Sequence, residues 1–319
     1  MSTVTVEAAL QTVSVIEIPP QPVQQKKKVN YAIYLIALHT SLAGLLYGLD
    51  TGSIGPITEM PQFRESVGNL SDLTQGIYVS SILLFAALAS FSNGYLADRF
   101  SRKYTILMGA VCCSVGALLS SSLSNLPAMF VARGVYGMGI GLTFSCTTVY
   151  LVEISPAHQR GLLSCMTQLL ITIGIAAAYF TAYASVQLSG SIAWRIPFIV
   201  QAFVAAFLAT GIFFIPFSPR WLMQKGREPE ALETLRKLRN VEVNDVSGMT
   251  TVYRELSDIR NDIKFDERVK QSTSYIEIFH KVCSLSALTN VACSSTNSPL
   301  PFRNGISTID WGIRYIEYY

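Results

Sequence analysis

Two ionisable residues, Asp50 and Arg133, lie inside long apolar stretches of the sequence. An acid or base near the middle of a membrane-spanning helix costs about 2.5–3.5 kcal/mol on insertion scales, so it is retained where it is paired or hydrated. Each lies about six residues, or roughly 9 Å along a helix, from the same side of the membrane, so the two are expected at one depth. A movement that changed their separation would change whether Asp50 holds a proton. The pattern predicts a proton-coupling pair, with a static ion pair or a helix-end charge as the alternative.

Gln168 is a polar residue within another apolar stretch. Its amide both donates and accepts hydrogen bonds, as sugar hydroxyls require, although a lone glutamine in a membrane helix also commonly bonds a neighbouring helix. We recognise no nucleophile and base arrangement, metal-ligand spacing or phosphate loop in the sequence. An enzyme is therefore not expected, and neither catalytic residues, a metal nor a cofactor is predicted.

The elements that position these residues follow from the distribution of apolar residues. Hydrophobic residues make up 50% of the chain and charged residues 14%, against about a quarter charged in soluble domains. A helix needs roughly 20 apolar residues to cross the hydrocarbon layer. The sequence predicts an all-α membrane protein with six transmembrane helices, over residues 29–54, 76–97, 104–124, 126–151, 161–185 and 195–216.

Basic residues alternate between the ends of these predicted helices. Lys26–Lys28, Arg102, Lys103 and Arg220 flank one side, whereas the loops of the other side contain only two arginines. Because Lys and Arg stay on the cytoplasmic side, the N-terminus is predicted to be cytoplasmic in a multi-pass protein, which we place in the plasma membrane. Asn69-Leu70-Ser71 then lies outside as a glycosylation acceptor or as a chance match. The net charge of +3 is too small to indicate a nucleic-acid partner.

Four segments are predicted. Residues 1–28 form a disordered cytoplasmic N-terminus and residues 29–216 the six-helix transmembrane domain. Residues 217–282 form cytoplasmic linker helices, because Glu228–Arg239 and Thr251–Val269 space apolar residues at helical intervals between charges. Residues 283–319 are rich in Ser, Thr, Asn and Pro and are predicted to be an atypical, disordered tail.

Two local patterns predict close contacts between helices. The turn Gly94–Lys103 carries one acid and three bases, which suits a gate that locks helix ends by charge-assisted hydrogen bonds. The alternative is plain positive-inside anchoring, which would not require Asp98. Small residues at helical spacing let another helix approach closely, and they occur in two predicted helices, as Gly44, Gly48, Gly52 and Gly55 and as Gly137 and Gly141.

These motifs together resemble a known family. The segment Gly94–Lys103 resembles the signature of the major facilitator superfamily, with Ser101 in place of its second glycine. The segments 47–52, 152–161, 194–198 and 216–222 are similar to motifs of the sugar porters, although Phe217 stands where that family usually has Glu. The resemblance runs from about residue 30 to about residue 280 and identifies an N-terminal, six-helix half of a sugar porter.

The resemblance implies roles for individual residues. Asp50 matches the proton-coupling acid of symporters, Arg133 its partner, and Gln168 a sugar-contacting glutamine. A network of charges that gates the cytoplasmic side is implied at Asp98, Arg99, Arg102, Glu153, Arg160 and Arg220.

The function implied is proton-coupled symport of a monosaccharide or a related polyol or cyclic acid, with that solute, protons and the lipid bilayer as partners. Alternating access rocks two halves around a midplane site, so a single half is expected to be inactive alone. One alternative is a non-transporting sensor or regulatory half-carrier that pairs with a full-length transporter. Another is a six-helix unit that completes itself as a homodimer.

Overall fold

The computed structural model describes residues 31–68, 70–242 and 245–272. The glycosylation candidate Asn69 and the predicted terminal segments 1–28 and 283–319 lie outside the described residues. These three predictions therefore stay predictions.

Six helices in the described part of the chain are long and apolar enough to cross a membrane. We call them spans 1 to 6, and they cover Tyr31–Glu59, Asp72–Phe100, Arg102–Ser122, Leu126–Ile154, Ala157–Ser185 and Ile192–Phe214. Among the described residues the regular elements are all helical, so the predicted fold class is confirmed. Spans 2 and 3, 4 and 5, and the segment after span 6 meet at one end, here called the basic end because it carries Arg99, Arg102, Lys103, Arg160 and Arg220.

Span 1 is longer than predicted. Its last part, Leu42–Glu59, continues through Gly55 and Pro56 instead of stopping at residue 54. Ile54 and Ile57 are buried in an apolar cluster with Trp194, and this packing outweighs the local preference of Gly-Pro to end a helix. The predicted loop that follows contains a short helix, Pro61–Val67.

Glycines set the distance between spans 1 and 5. A Cβ atom at Gly44, Gly48 or Gly52 would lie only 2.5, 2.2 and 2.5 Å from carbonyl oxygens of span 5. The two backbones therefore approach as closely as small residues allow. Nothing lies within 4 Å of the corresponding position at Gly55, so three of the four glycines serve the predicted contact.

Span 4 is the most buried span and lies between spans 2 and 3. A Cβ atom at Gly137 or Gly141 would lie 2.7 or 2.3 Å from a carbonyl oxygen of span 2. A Cβ atom at Gly139 would lie 2.7 Å from the Gly109 carbonyl oxygen of span 3. The glycine series thus fixes span 4 against two neighbours at once.

Three helices follow span 6, at Pro219–Gln224, Glu228–Arg239 and Val246–Ser272. Glu228–Arg239 has its predicted bounds, whereas the last helix begins at Val246 rather than Thr251 and Pro219–Gln224 was not predicted. Their buried apolar side chains form one cluster of Trp221, Leu222, Ala231, Leu235, Val252 and Leu256. The chain divides into two contact units at Ile259 and Arg260, and this cluster belongs to the first.

An exposed charge group marks the polar face of Glu228–Arg239. Glu233 accepts hydrogen bonds from Arg236 at 2.7 and 2.8 Å and pairs with Lys237 at 3.4 Å. The hydrogen bonds from Arg236 lower the pKa of Glu233 to about 2. The acid therefore stays ionised at neutral pH.

We expect Gly48→Ala to lower the free energy of unfolding by about 1–3 kcal/mol, because its methyl group collides with the Ile171 carbonyl of span 5. Gly55→Ala is the matched control, and it should be neutral or stabilising by up to about 1 kcal/mol from reduced backbone entropy. Unfolding in mixed micelles of increasing denaturing detergent measures both. Equal effects of the two changes would contradict the close packing of spans 1 and 5.

Candidate functional site

Asp50 of span 1 and Arg133 of span 4 are in direct contact. Arg133 Nη1 donates a hydrogen bond to Asp50 Oδ1. The side chains are 4% and 1% exposed, so the ion pair is enclosed by protein. Enclosure removes water from both charges, and each depends on the other for its stability.

Small residues that pack against neighbouring helices set the positions of Asp50 and Arg133. Asp50 stands between Gly48 and Gly52, where span 1 lies against span 5. Arg133 precedes Gly134, and a Cβ atom there would lie 3.2 Å from the Phe85 ring of span 2. The acid and the base are therefore carried by two helices whose positions are fixed by other helices.

Aromatic rings cover the guanidinium group of Arg133. Its central carbon lies 5.1 Å from the ring centroid of Tyr78 and 5.5 Å from that of Phe198. Within the described residues, Nε and Nη2 of Arg133 and the hydroxyl of Tyr78 form no hydrogen bond of ordinary geometry, although the hydroxyl interacts with the guanidinium group. Sequence reasoning missed both rings, because an aromatic residue in an apolar helix carries no local signal that distinguishes it from ordinary core.

A second polar contact lies beside the pair. Gln201 of span 6 donates a hydrogen bond from Nε2 to Ser53 Oγ at 3.0 Å. Ser53 in turn donates to the Asp50 carbonyl oxygen at 3.3 Å. Both side chains are buried. A glutamine within span 6 was the sequence signal that could have found this contact.

Apolar side chains close the site toward the end opposite the basic end. This outer cluster consists of Ile54, Ile57, Met60, Phe63, Tyr78, Met129, Ala182, Trp194 and Phe198. The short helix Pro61–Val67 supplies Phe63, whose ring meets Trp194 edge to face at 5.5 Å. Gln62 fastens this helix by donating to the carbonyl oxygens of Val186 and Leu188 at 3.0 and 3.1 Å. The ion pair is consequently shielded from this end.

Gln168 lies apart from the ion pair on an exposed face of span 5. Its neighbour Thr167 points inward and meets Ser41 of span 1, with 3.1 Å between the hydroxyl oxygens. In the described part of the chain no hydrogen bond joins the Gln168 amide to another helix, so the alternative of helix–helix bonding is not what this structure shows. The amide is open to a ligand or to another surface.

At the basic end, Arg102 is the centre of a charge network. Its Nε contacts Glu153 Oε1 at 3.1 Å, and its Nη1 contacts Asp98 Oδ1 at 3.0 Å. Ser218 donates a hydrogen bond to Glu153 Oε2 at 2.5 Å, and Arg220 adds a favourable charge interaction with the same carboxylate. Spans 2, 3 and 4 and the segment after span 6 are joined by these contacts.

Two arginines expected in this network lie outside it. Arg99 donates a hydrogen bond to the Tyr95 hydroxyl at 2.7 Å and lies 5.7 Å from the Phe100 ring centroid. Arg160 is exposed at the start of the helix Arg160–Ser185 and forms no ion pair with any described residue. The structure therefore assembles four of the six expected residues, since helix geometry turns Arg99 away from Asp98.

Phe217 packs where a carboxylate was expected from the resemblance. Its ring stacks on Trp221 with 5.7 Å between centroids, and Lys103 Nζ lies 5.1 Å from its centroid. An aromatic face attracts a cation through its quadrupole. A cation–π contact thus takes the place of a salt bridge.

Ser101 adopts a backbone conformation that favours glycine. It has φ +95° at the junction between spans 2 and 3, it is fully buried, and its hydroxyl has no partner among the described residues. A left-handed φ at a residue other than glycine costs about 1–3 kcal/mol. Serine therefore carries backbone strain at the position where the signature has its second glycine.

Ser101→Gly should raise the free energy of unfolding by about 1 kcal/mol or more, because glycine adopts this φ without strain. Ser101→Ala removes the unpartnered hydroxyl but keeps the strained conformation. Its free energy of unfolding should therefore rise less than that of the glycine variant. Detergent unfolding of the three proteins side by side measures the order, and an alanine variant as stable as the glycine variant would exclude backbone strain as the cause.

A double-mutant cycle tests the buried pair. Asp50→Asn and Arg133→Leu should each lower the free energy of unfolding by about 3–5 kcal/mol, because each leaves one charge buried without its partner. The double variant should cost clearly less than the sum. The exposed pair of Glu59 and Arg64 provides the control, with coupling below about 1 kcal/mol. Strict additivity at Asp50 and Arg133 would show that the contact carries no coupling energy.

Comparisons with known proteins identify the family. The family described as "Sugar (and other) transporter" matches residues 36–296. The glucose transporter GlcP of Staphylococcus epidermidis is 36% identical over 203 residues, which is 64% of this chain and 44% of that protein. The arabinose-proton symporter of Escherichia coli is 32% identical over 267 residues, 84% of this chain and 52% of that protein. The chain thus spans about half the length of the curated relatives it matches.

A solved structure shows the same fold. The proton:xylose symporter XylE of the major facilitator superfamily superposes with a TM-score of 0.67 at 24% identity, over 78% of this chain and 58% of that one. The family match covers most of the chain, and six helices in its described part are suited to cross a membrane. The chain therefore belongs to the sugar transporter family and is a multi-pass membrane protein.

Proposed function

We propose that this chain supplies the proton-coupling half of a proton-driven sugar transporter. The observation that carries the proposal is the enclosed ion pair of Asp50 and Arg133, which lies in the apolar part of the bundle without another charged partner among the described residues. A carboxylate in such a place can be neutralised by a proton when its cation moves away. Relatives named as arabinose-proton and galactose-proton symporters support the assignment.

The coupling follows from the electrostatics of the site. With the pair formed, Asp50 is ionised and Arg133 compensates its charge. When spans 1 and 4 move apart, an ionised Asp50 would be left in a low dielectric, and binding a proton removes that cost. Movement and proton binding therefore favour one another, and the movement can be used to carry a solute against its gradient.

The charge network at the basic end is proposed to act as the gate. Arg102, Glu153 and Asp98 hold spans 2, 3 and 4 together in the present state. Breaking such a contact leaves buried charge, so the state is left only when other contacts compensate. We place the basic end and the N-terminus at the cytoplasm, with residues 217–282 as a cytoplasmic linker, and place the protein in the plasma membrane, because basic residues flank this side.

Gln168 is proposed to contact the sugar. It lies on an exposed face of span 5 together with Thr172, which is four residues further along and also exposed. An amide supplies both donors and an acceptor to neighbouring sugar hydroxyls. The substrate class is a monosaccharide or a related polyol or cyclic acid.

We infer that transport requires a second six-helix unit. Alternating access moves one unit against another around a site between them, and the exposed position of Gln168 suits a site completed by another surface. The relatives are about twice as long as the matched region, which supports a second unit like theirs; a second copy of this chain is the other possible source.

Proteoliposomes test this function. The chain alone should show no uptake of labelled glucose, arabinose, galactose or xylose, because one side of the site is missing. Addition of the complementary half of the arabinose-proton symporter should give uptake that is stimulated by an inward proton gradient. Asp50→Asn in the same mixture should lose accumulation against a gradient but retain sugar exchange.

Gln168→Ala and Thr172→Ala separate sugar binding from proton coupling. The first should raise the KM for the sugar by about tenfold through one lost bidentate contact of roughly 1.4 kcal/mol, while the second should change it less.

Accumulation that persists in Asp50→Asn would overturn the assignment of the coupling acid. Uptake by the chain alone would overturn the need for a second unit.

A further inference from the structure

The guanidinium group of Arg133 has two kinds of neighbour. One is the carboxylate of Asp50, which accepts a hydrogen bond from Nη1. The other is the pair of aromatic rings of Tyr78 from span 2 and Phe198 from span 6, at 5.1 and 5.5 Å from the central carbon. Both rings are fully buried, with 0% and 1% of the residue exposed. Four spans thus contribute one side chain each to a single buried contact.

The rings matter most when Asp50 is neutral. A protonated Asp50 no longer compensates Arg133, and arginine does not lose its own proton in proteins. Among the described residues, Nε and Nη2 lack a well-formed hydrogen bond, although the Tyr78 hydroxyl lies close enough to interact with the guanidinium group. The negative faces of aromatic rings attract a cation, and more strongly when the cation is desolvated and unpaired.

We propose that Tyr78 and Phe198 are positioning residues that hold Arg133 in place while Asp50 carries its proton. The rings reduce the cost of separating the ion pair and so make proton binding by Asp50 easier. This inference rests on the proposed proton coupling. It adds the two residues that make the state with a protonated Asp50 energetically accessible.

Other titratable groups near the pair are Tyr136 of span 4 and Cys113 of span 3. Tyr136 donates its hydroxyl to the Leu46 carbonyl oxygen at 3.2 Å, and Cys113 donates to the Tyr136 carbonyl oxygen at 3.8 Å. Both groups are uncharged near neutral pH. On the side of span 5, Ala178 packs against span 1 at Gly52, and on the side of span 6, Gln201 reaches Ser53, which bonds the Asp50 carbonyl oxygen.

Infrared spectroscopy of the purified chain in nanodiscs tests the proposal without a transport assay. A protonated carboxyl group has a carbonyl stretching band that a carboxylate lacks, and the band of Asp50 is assigned by its absence from Asp50→Asn. The midpoint pH at which this band appears is compared between variants. Tyr78→Leu and Phe198→Leu should move it to lower pH by about 0.5 unit or more, since proton binding must then leave Arg133 less well stabilised.

Two controls separate the rings from general packing. Tyr78→Phe keeps the ring and removes the hydroxyl, which also interacts with Arg133, so its midpoint should move clearly less than that of Tyr78→Leu. Phe63→Leu removes an equally buried ring of the same outer cluster that contacts Trp194 and not Arg133, and it should leave the midpoint unchanged. Circular dichroism confirms the helical content of each variant, and Tyr78→Met and Phe198→Met replace any leucine variant that does not fold.

An unchanged midpoint in both ring-loss variants would overturn the role of the rings, and so would an equal shift in Phe63→Leu. Such a result leaves the proposed transport function standing. A carboxyl band of Asp50 that does not respond to pH in the original chain would instead contradict proton coupling itself, and the inference would fall with it.

Discussion

A positive and a negative charge in contact inside an apolar bundle make the rest of this structure necessary. Each ion alone would cost several kcal/mol to bury, and their attraction offsets this only when the geometry is good. Asp50 and Arg133 lie on different helices and are 83 residues apart in the chain. The contact therefore depends on how closely and in what register the spans pack, and the proposed coupling uses this dependence to let movement control a proton.

The register is set by residues that lack side chains. Gly44, Gly48 and Gly52 lie against the backbone of span 5, and Gly137 and Gly141 lie against that of span 2. Backbone contact of this kind leaves little freedom to slide, because the shapes interlock without flexible side chains between them. Spans 1 and 5 form one packed group and spans 2, 3 and 4 another. Asp50 and Arg133 connect the two groups near one end, whereas Arg102 and Glu153 act within the second group at the other.

Much of this could be predicted from the sequence, because the relevant signals are local. Six apolar runs predict six spans, and a lone acid or base in such a run is conspicuous. The neighbours of those charges could not be predicted in this way, because they come from distant parts of the sequence. Tyr78 and Phe198 become a cover for Arg133 only through the packing of spans 2 and 6, and Gln201 reaches Ser53 across 148 residues of sequence.

The extension of span 1 through Gly55 and Pro56 has the same origin. Local preference ends the helix there, and burial of Ile54 and Ile57 against Trp194 continues it. The turn at Ser101 shows the reverse situation. The family signature places a glycine here, which adopts a positive φ without strain, and Ser101 has φ +95° in this structure.

Phe217 shows how a charge network can lose a carboxylate without losing its geometry. A glutamate there would attract Lys103 at long range and would have to be desolvated on entering the cluster. The Phe217 ring instead stacks on Trp221 and attracts Lys103 only at short range. Lys103 also donates a hydrogen bond to the Phe213 carbonyl oxygen at 3.0 Å, so its place is fixed at the end of span 6. The ionic contacts of the network then rest on Glu153, which binds Arg102 on one oxygen and Ser218 on the other, and on Asp98, which also contacts Arg102. Loss of the Glu153 contacts would release the ends of spans 3 and 4 and the start of the linker together, while Asp98 still held Arg102 to span 2.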